Sequence, residues 1–251
     1  MKTTQKLLMG ILAAGTLSLA IPAQAVLFDQ NVTANAIYGS GNANGGWTVD
    51  RSGGVELGLR AKVRFPTPLN QFNSNGDGTY DHLAGNNGAG QALWNFEWSI
   101  NSDYLGTSGV KLSDLTYILK IDSDPTAAVN YLAFDPINVA FWDHSFGDNS
   151  TGAGAGVEAA DAAGYNGLIT TKNLAQNSWR MNFFQAFFIP ANSFDPNVPG
   201  TYTFRLEASN GAATEMTVNA VPEPSTYLAG AMLLLPFGAS AIRKLRKSRT
   251  A

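Results

Sequence analysis

Residues 55–65, VELGLRAKVRF, alternate between apolar and other side chains along their whole length. Every second residue from Val55 to Phe65 is apolar, and the positions between them include Glu56, Arg60 and Lys62. Because successive side chains of a β-strand point to opposite faces, this period of two predicts a strand with one face in a core. The stretch therefore favours a β-class fold for the segment around it.

The same alternation recurs through residues 26–220, which we predict to form one domain. The other segments that show it are 94–100, 115–121, 137–141, 179–189, 202–207 and 214–218, with 26–38 and 129–134 as weaker candidates. Residues 157–163 predict at most one short helical turn. Eight or nine strands without helices predict an all-β fold, an antiparallel β-sandwich of the jelly-roll or Ig-like kind. Long loops rich in Gly and Asn are expected at 39–54, 73–91 and 147–167.

The composition of this domain is acidic and lacks cysteine. Residues 26–220 hold nine Lys and Arg against eighteen Asp and Glu, a net charge of −9. That balance argues against a nucleic-acid partner, because nucleic-acid-binding domains present a basic surface to the phosphates. Without cysteine, thiol catalysis, iron–sulfur clusters and cysteine-ligated zinc are excluded.

The first 25 residues predict a secretory signal peptide. Lys2 and Lys6 supply a positive start, and an apolar run covers residues 7–22. Ala23 and Ala25 place small residues where signal peptidase recognises its substrates. We therefore expect export through the Sec translocon and cleavage after Ala25. An uncleaved membrane anchor is the alternative.

The last 31 residues, 221–251, combine three features in order. Pro222, Glu223 and Pro224 form a stretch that the two prolines hold extended. The uncharged residues 227–242 then predict one short transmembrane helix, about 24 Å long. Five basic residues close the chain and are expected to stay in the cytoplasm: Arg243, Lys244, Arg246, Lys247 and Arg249.

These three features resemble the PEP-CTERM sorting signal of Gram-negative bacteria. The resemblance implies that exosortase, an integral-membrane transpeptidase, cuts near Pro222-Glu223-Pro224 after a stay in the inner membrane. It also implies a destination at the cell surface or in an exopolysaccharide matrix. The segments 131–136, 174–179 and 194–202 are similar to uncharacterised ectodomains that precede such tails. This second similarity supports a β-rich domain and adds no catalytic residue.

One loop has the spacing of a calcium site. In NSNGDGTYD, residues 73–81, the oxygen-bearing side chains of Asn73, Asn75, Asp77 and Asp81 follow part of the EF-hand pattern. The twelfth position is Ala84 rather than the usual glutamate. The sequence therefore leaves two interpretations open, a weak calcium site and a solvated Asn/Gly turn. No other cofactor is predicted.

Two candidate catalytic arrangements are weak. Asp143, His144 and Ser145 are consecutive, whereas a catalytic triad needs groups that converge from separate places, so polar residues at a strand end are the simpler interpretation. Glu97 and Glu207 could serve a glycosidase as paired carboxylates. Both alternate with apolar neighbours, however, and are predicted to face solvent.

The sequence as a whole predicts an exported, non-enzymatic protein of the cell surface or extracellular matrix, associated with exopolysaccharide. A carbohydrate-binding module is the first alternative, and a secreted hydrolase is the second. Trp94 and Trp98 could stack on sugars if exposed, but their spacing places them on the apolar face, where we expect them in the core.

Overall fold

The alternating stretch that begins at Val55 forms a strand, as predicted, and this strand lies inside a sheet. The structure is a computed structural model that describes residues 25–37, 42–138, 143–185 and 194–223. Several sequence predictions lie outside these ranges. They concern the signal peptide up to residue 24 with Ala23, residues 139–141, Pro224, the segment 227–242 and the basic cluster from Arg243 to Arg249.

Eleven strands lie within the described residues. They are β1 (Leu27–Gln30), β2 (Trp47–Ser52), β3 (Val55–Val63), β4 (Thr79–Leu83), β5 (Trp94–Asn101), β6 (Tyr117–Asp122), β7 (Tyr131–Phe134), β8 (Ser145–Gly147), β9 (Leu174–Trp179), β10 (Gly200–Ala208) and β11 (Ala213–Val221). The mostly-β fold predicted from the alternation is thus confirmed.

The strands form two sheets. One has the order β1-β2-β3-β5-β9-β8 and the other β4-β11-β10-β6-β7. Neighbouring strands are antiparallel except β4 and β11, which run parallel with Tyr80 beside Val218. The purely antiparallel arrangement is therefore wrong at this pair. These two strands are far apart in the sequence, so no tight turn forces them to run in opposite directions.

Two strands occupy segments that were predicted to be loops. β2 lies within 39–54 and pairs with β3 across a tight turn at Gly53 and Gly54, whose φ angles of 58° and 82° favour glycine. β4 lies within 73–91. Both strands are short and adjoin glycine-rich turns, which hid them in the sequence pattern.

The helical content was underestimated. Helix α1 (Ala162–Thr171) has ten residues, and the Asp161 side chain caps it by accepting a hydrogen bond from the Gly164 backbone N–H at 2.7 Å. Its buried residues Tyr165 and Ile169 are four positions apart, a helical spacing. A short 3-10 helix spans Leu112–Asp114.

The long strand predicted over 179–189 is wrong. The chain leaves β9 at Trp179 and forms the short helix α2 (Met181–Gln185). A brief run of apolar residues does not distinguish a strand from a helix by its period alone. Ile137 likewise belongs to no strand, although it is buried as its pattern predicts.

The two sheets pack face to face around one large apolar core. The Phe96 and Phe204 rings, from opposite sheets, have centroids 4.5 Å apart, and Trp94 meets Phe204 edge-on at 6.3 Å. Trp94 and Trp98 are buried in this core, as predicted. Apolar side chains from both sheets thus fill the space between them, which leaves each sheet a second, outer face.

Candidate functional site

The outer face of the six-stranded sheet is buried, although many of its residues are polar or charged. Arg60 and Lys62 on β3 and Glu97 on β5 are almost fully inaccessible to solvent. The prediction that Glu97 faces solvent is therefore wrong. The alternation itself is correct, since Glu97 points away from the apolar core, but other parts of the chain cover this outer face.

The segment 31–37 forms part of this cover, and Gln176 of β9 fastens it to the sheet. The Gln176 Oε1 atom accepts hydrogen bonds from the backbone N–H groups of Ala36 and Ile37 at 2.6 and 3.1 Å. Its Nε2 atom donates to the Ala34 carbonyl at 2.7 Å and to the Ser99 hydroxyl at 2.9 Å. One buried amide therefore satisfies three backbone groups of a segment that has no strand partner at these positions.

Arg60 is enclosed by aromatic rings and carbonyl groups. Its guanidinium carbon lies 4.1 Å from the centroid of the Trp47 ring and 4.3 Å from that of Phe72. Its Nη1 atom donates to the carbonyls of Ala43 and Gly45 at 2.8 and 2.7 Å. Segment 42–46 thus covers Arg60 on the side away from the core.

Arg60, Lys62 and Glu97 form a buried ion cluster. The Arg60 Nε atom lies 2.6 Å from Glu97 Oε2, and Lys62 pairs with the other oxygen of the same carboxylate. Burial lowers the pKa of Arg60 and of Lys62, and Glu97 opposes that shift. Burial alone would raise the pKa of Glu97, but the two cations together hold it below its usual value. The cluster carries two positive charges and one negative charge.

Beside this cluster, the outer face opens into a polar cavity of about 370 Å³. Its volume falls in the range of about 300–1,000 Å³ that is typical of small-molecule sites. The lining comes from β3, β5, β8 and β9 and from the covering loops: Ile37, Asn42, Lys62, Arg64, Leu69, Asn70, Asn95, Asp143, Ser145, Asn177 and Ser178. We call it the polar cavity.

One lining side chain has unused hydrogen-bonding capacity. The Asn95 Nδ2 atom donates to the Ser178 hydroxyl at 3.0 Å, but its Oδ1 atom has no hydrogen-bond partner among the described residues. Asn95 is only 5% exposed. A buried amide oxygen without a partner costs free energy, so its position at a cavity wall points to a ligand or to bound solvent. The sequence alone did not single out this residue.

The calcium pattern is largely occupied by interactions within its own turn. Asp77 Oδ1 accepts from the Thr79 N–H at 2.9 Å and from the Thr79 hydroxyl at 2.7 Å. Asn75 Nδ2 donates to the same hydroxyl at 2.9 Å. Asp81 instead accepts from Asn219 of β11 at 2.9 Å. The side chains of Asn75 and Asp77 thus meet at Thr79, while that of Asp81 is directed to another strand. In the ranges that the structure covers, no group of three His, Asp or Glu side chains is arranged to hold a metal.

His144 lies at a strand end, directly before β8, and is fully buried. Its Nε2 atom lies 2.7 Å from the Pro136 carbonyl, and Asn177 Nδ2 lies 3.0 Å from its Nδ1 atom. This pair of partners assigns the N–H to Nε2, which donates to Pro136 while Nδ1 accepts from Asn177. Burial lowers the pKa of His144 to about 4, so the ring is neutral near pH 7. Both ring nitrogens are engaged in holding the segment before β8.

The two carboxylates considered for glycosidase chemistry lie on opposite sides of the molecule. Glu97 is on the outer face of the six-stranded sheet, and Glu207 is on the outer face of the five-stranded sheet, where it pairs with Lys120 and Arg205. Because both point away from the core that separates the sheets, they do not flank a common substrate. A glycosidase needs its two carboxylates on either side of one bond.

A second cavity, of about 290 Å³, is mainly apolar and lies at the β4 edge. The buried His82 lines it together with Phe65, Pro66 and Leu93. Burial lowers the pKa of His82 to about 4, against the opposing effect of Asp81. This cavity is large enough for a small ligand but has few polar groups to orient one.

The described part of the predicted sorting motif begins where the last strand ends. β11 ends at Val221, whose carbonyl accepts a hydrogen bond from the Ala84 N–H at 2.7 Å. Pro222 and Glu223 follow at once and line a shallow surface cavity with Gly85, Asn86 and neighbouring residues. The predicted cut site therefore adjoins the domain with no intervening linker.

No helix in the described ranges is long and apolar enough to cross a membrane. Comparison of the chain with protein-family models, with curated proteins and with solved structures finds no match in any of the three. The site is therefore interpreted from its own geometry.

Proposed function

We propose that this chain is an exported, non-enzymatic protein of the cell surface or extracellular matrix, and that it associates with exopolysaccharide by binding sugar in the polar cavity. The observation that carries the proposal is the Asn95 amide, which is buried in the cavity wall with a free oxygen. Sugar hydroxyls can both donate and accept hydrogen bonds, so they complement such a wall. Binding specificity usually rests on a few well-placed polar groups of this kind.

The other lining residues support a saccharide ligand. Asn70 and Ser178 add amide and hydroxyl groups, whereas Ile37 and Leu69 offer apolar surface to the C–H faces of a sugar ring. Leu69 is 42% exposed, so its side chain is available at the rim. The aromatic residues first considered for stacking, Trp94 and Trp98, are in the core and take no part.

The route to the surface is proposed from the two ends of the chain. A signal peptide cut after Ala25 delivers the chain to the Sec translocon and to signal peptidase. The tail with Pro222, Glu223 and Pro224 delivers it, through the inner membrane of a Gram-negative bacterium, to exosortase. A jelly-roll or Ig-like arrangement of the two packed sheets is the finer form of the fold that we propose.

Sugar binding is tested with the full-length protein purified in detergent and applied to a glycan array. We expect binding to a subset of polysaccharides. The double variant Asn95→Ala, Ser178→Ala should weaken that binding at least tenfold, because it removes the two hydrogen-bonding groups of the cavity wall. Asn219→Ala is the matched control, an amide on the outer face of the other sheet, and should bind like the unmodified protein. Absence of any glycan signal, or equal loss in the control, would refute the proposed binding function.

Sorting is tested separately by fractionation with an antibody against the domain. Replacement of Pro222, Glu223 and Pro224 by alanine should leave full-length protein in the inner membrane. Deletion of residues 221–251 should release the domain as an unsorted soluble protein. If the alanine variant is processed and reaches the surface normally, the tail is not recognised through this motif.

A further inference from the structure

We propose that the sugar bound in the polar cavity is acidic, and that Arg64 and Arg180 bind its carboxylate while Asn95 and Ser178 bind its hydroxyls. This inference rests on the proposed saccharide-binding function and names the class of saccharide. It is carried by the distribution of charge around the cavity, in which two arginines have no carboxylate partner.

The charges around the cavity sum to a positive value. Arg60 and Lys62 of β3 and Arg64, directly after this strand, are three cations at alternate positions, opposed by the buried carboxylate of Glu97 and by Asp143 in the cavity lining. Arg180, directly after β9, is not a lining residue, but it is close enough to Arg64 for the two charges to interact, and it adds a fourth cation beside the cavity. The domain as a whole has a net charge of −9, so this is a local reversal of its charge.

Two of these cations have a carboxylate partner, and two do not. Arg60 and Lys62 share the carboxylate of Glu97. Within the described residues, Arg64 and Arg180 form no ion pair. Every Asp and Glu side chain of the chain falls within the described ranges. Both guanidinium groups are therefore available to an external anion.

The two unpaired arginines lie close enough to affect each other. The Arg64 N–H bonds to the Leu93 carbonyl just before β5, and Arg180 follows Trp179, which lies opposite Phe96 of the same strand. Burial lowers the pKa of Arg180, and the charge of Arg64 lowers it further. Two like charges held together without a counter-ion are unfavourable, and a bound anion relieves that repulsion.

The shape and lining distinguish an acidic sugar from an isolated anion. A planar guanidinium matches a carboxylate with two parallel hydrogen bonds, which a lysine cannot provide. An isolated anion would leave the Asn95 oxygen without a donor and most of the 370 Å³ unfilled. A sugar ring that carries a carboxylate supplies hydroxyl donors for Asn95 and a charge for the arginines at once.

The test compares two soluble oligosaccharides of equal length, an oligomer of uronic acid and its neutral counterpart. Each is titrated calorimetrically into full-length protein in detergent at low salt. We expect the acidic oligomer to bind at least tenfold more tightly. The double variant Arg64→Gln, Arg180→Gln should abolish that difference and keep the affinity for the neutral oligomer. Arg205→Gln, on the outer face of the other sheet, is the matched charge control and should keep the difference.

The possible results separate the inference from the function on which it rests. If the neutral oligomer binds as tightly as the acidic one, the acidic-sugar inference fails and saccharide binding stands. If neither oligomer binds, both fail. Inorganic phosphate that binds as tightly as the acidic oligomer would show recognition of an anion alone and would overturn the inference. Equal losses in Arg205→Gln and in the double variant would do the same, because they would indicate general charge attraction. Circular dichroism at 25 °C checks that each variant is folded.

Discussion

The outer faces of the two sheets carry similar cross-strand charge clusters in very different environments. On the six-stranded sheet, Arg60 lies opposite Glu97, and both side chains are fully buried. On the five-stranded sheet, Arg205 pairs with Glu207 at 2.5 Å and with Glu215 at 3.4 Å, and these side chains remain 25–47% exposed. Both clusters sit on the polar side of alternating strands, so strand pattern alone does not separate them.

The difference comes from segments that lie outside the regular strands. Segment 42–46 and the Phe72 ring cover the first cluster, and segment 31–37 covers the same face beside it, whereas no described segment covers the second cluster in this way. Buried charges lose their hydration and must be compensated by partners, while exposed pairs exchange with water at little cost. The three charges buried beside the cavity therefore require closely placed partners, and the strand pattern does not show this requirement. We therefore propose that the outer face of the six-stranded sheet is the functional face.

The largest expected effect tests this contrast directly. Glu97→Gln leaves Arg60 and Lys62 buried without a counter-charge, so we expect the free energy of unfolding to fall by about 3–5 kcal/mol. Glu207→Gln, the equivalent change in the exposed cluster, should cost less than about 1 kcal/mol. Urea unfolding of the two full-length variants, followed by tryptophan fluorescence, measures both values. Similar costs for the two variants would mean that burial does not distinguish the two faces.

Acid should affect the covered sheet through His144 at its β8 edge. The folded-state pKa of this histidine is about 4 because of burial, against about 6.5 in an unfolded chain. The unfolded state therefore binds the proton more readily, and stability is lost as pH falls from about 6.5 toward 4. Between pH 7.5 and pH 4.5 we expect this residue to account for a loss of about 2–3 kcal/mol.

The measurement compares the pH dependence of unfolding in the unmodified protein and in His144→Gln. The variant starts from a lower stability at pH 7.5, because Gln does not reproduce the bonds to Pro136 and Asn177. Its free energy of unfolding should nevertheless fall less steeply on acidification. His82→Gln gives a second case with the same sign, since burial also lowers that pKa to about 4. Identical slopes for the three proteins would contradict the neutral, buried state of both rings.

The attachment of the cover is a smaller effect. Gln176→Leu removes the amide that binds Ala34, Ala36 and Ile37, and we expect a cost of about 2 kcal/mol from the unpaired backbone groups. Hydrogen exchange should accelerate at the Ala36 and Ile37 amides before the rest of the sheet. On the uncovered face, Thr217→Val removes only a 3.4 Å contact with Thr203 and should change stability by less than about 0.5 kcal/mol. Unchanged exchange at Ala36 would show that segment 31–37 is held by other contacts.

Most of the strands and the core residues could be predicted from the sequence, but the candidate site could not. The period of two correctly predicted that Trp94 and Trp98 lie in the core, because the alternation within a single strand shows which of its residues face the core. The burial of Glu97 depends on covering loops that have no regular sequence pattern. It could therefore not be predicted from the sequence of β5. A usable signal did exist, since Arg60 and Glu97 have opposite charges on the polar faces of two neighbouring strands. Short strands next to glycine turns, such as β2, were missed because they contain too few residues to show the alternation.

The smallest expected effect concerns the exposed turn at residues 73–81. This turn is either a calcium site or an ordinary Asn/Gly turn. Asp77 is held by two bonds to Thr79, and these bonds lower its pKa below the usual value. If the turn alone explains the residue, Asp77→Asn should lower the melting temperature by no more than about 2 °C, equally with and without millimolar calcium. Because Asp81 is directed to Asn219 rather than toward Asp77, we expect this calcium-independent result. A melting temperature that rises with calcium in the unmodified protein, and not in an Asp77→Ala, Asp81→Ala variant, would instead establish an ion bound only to the folded state.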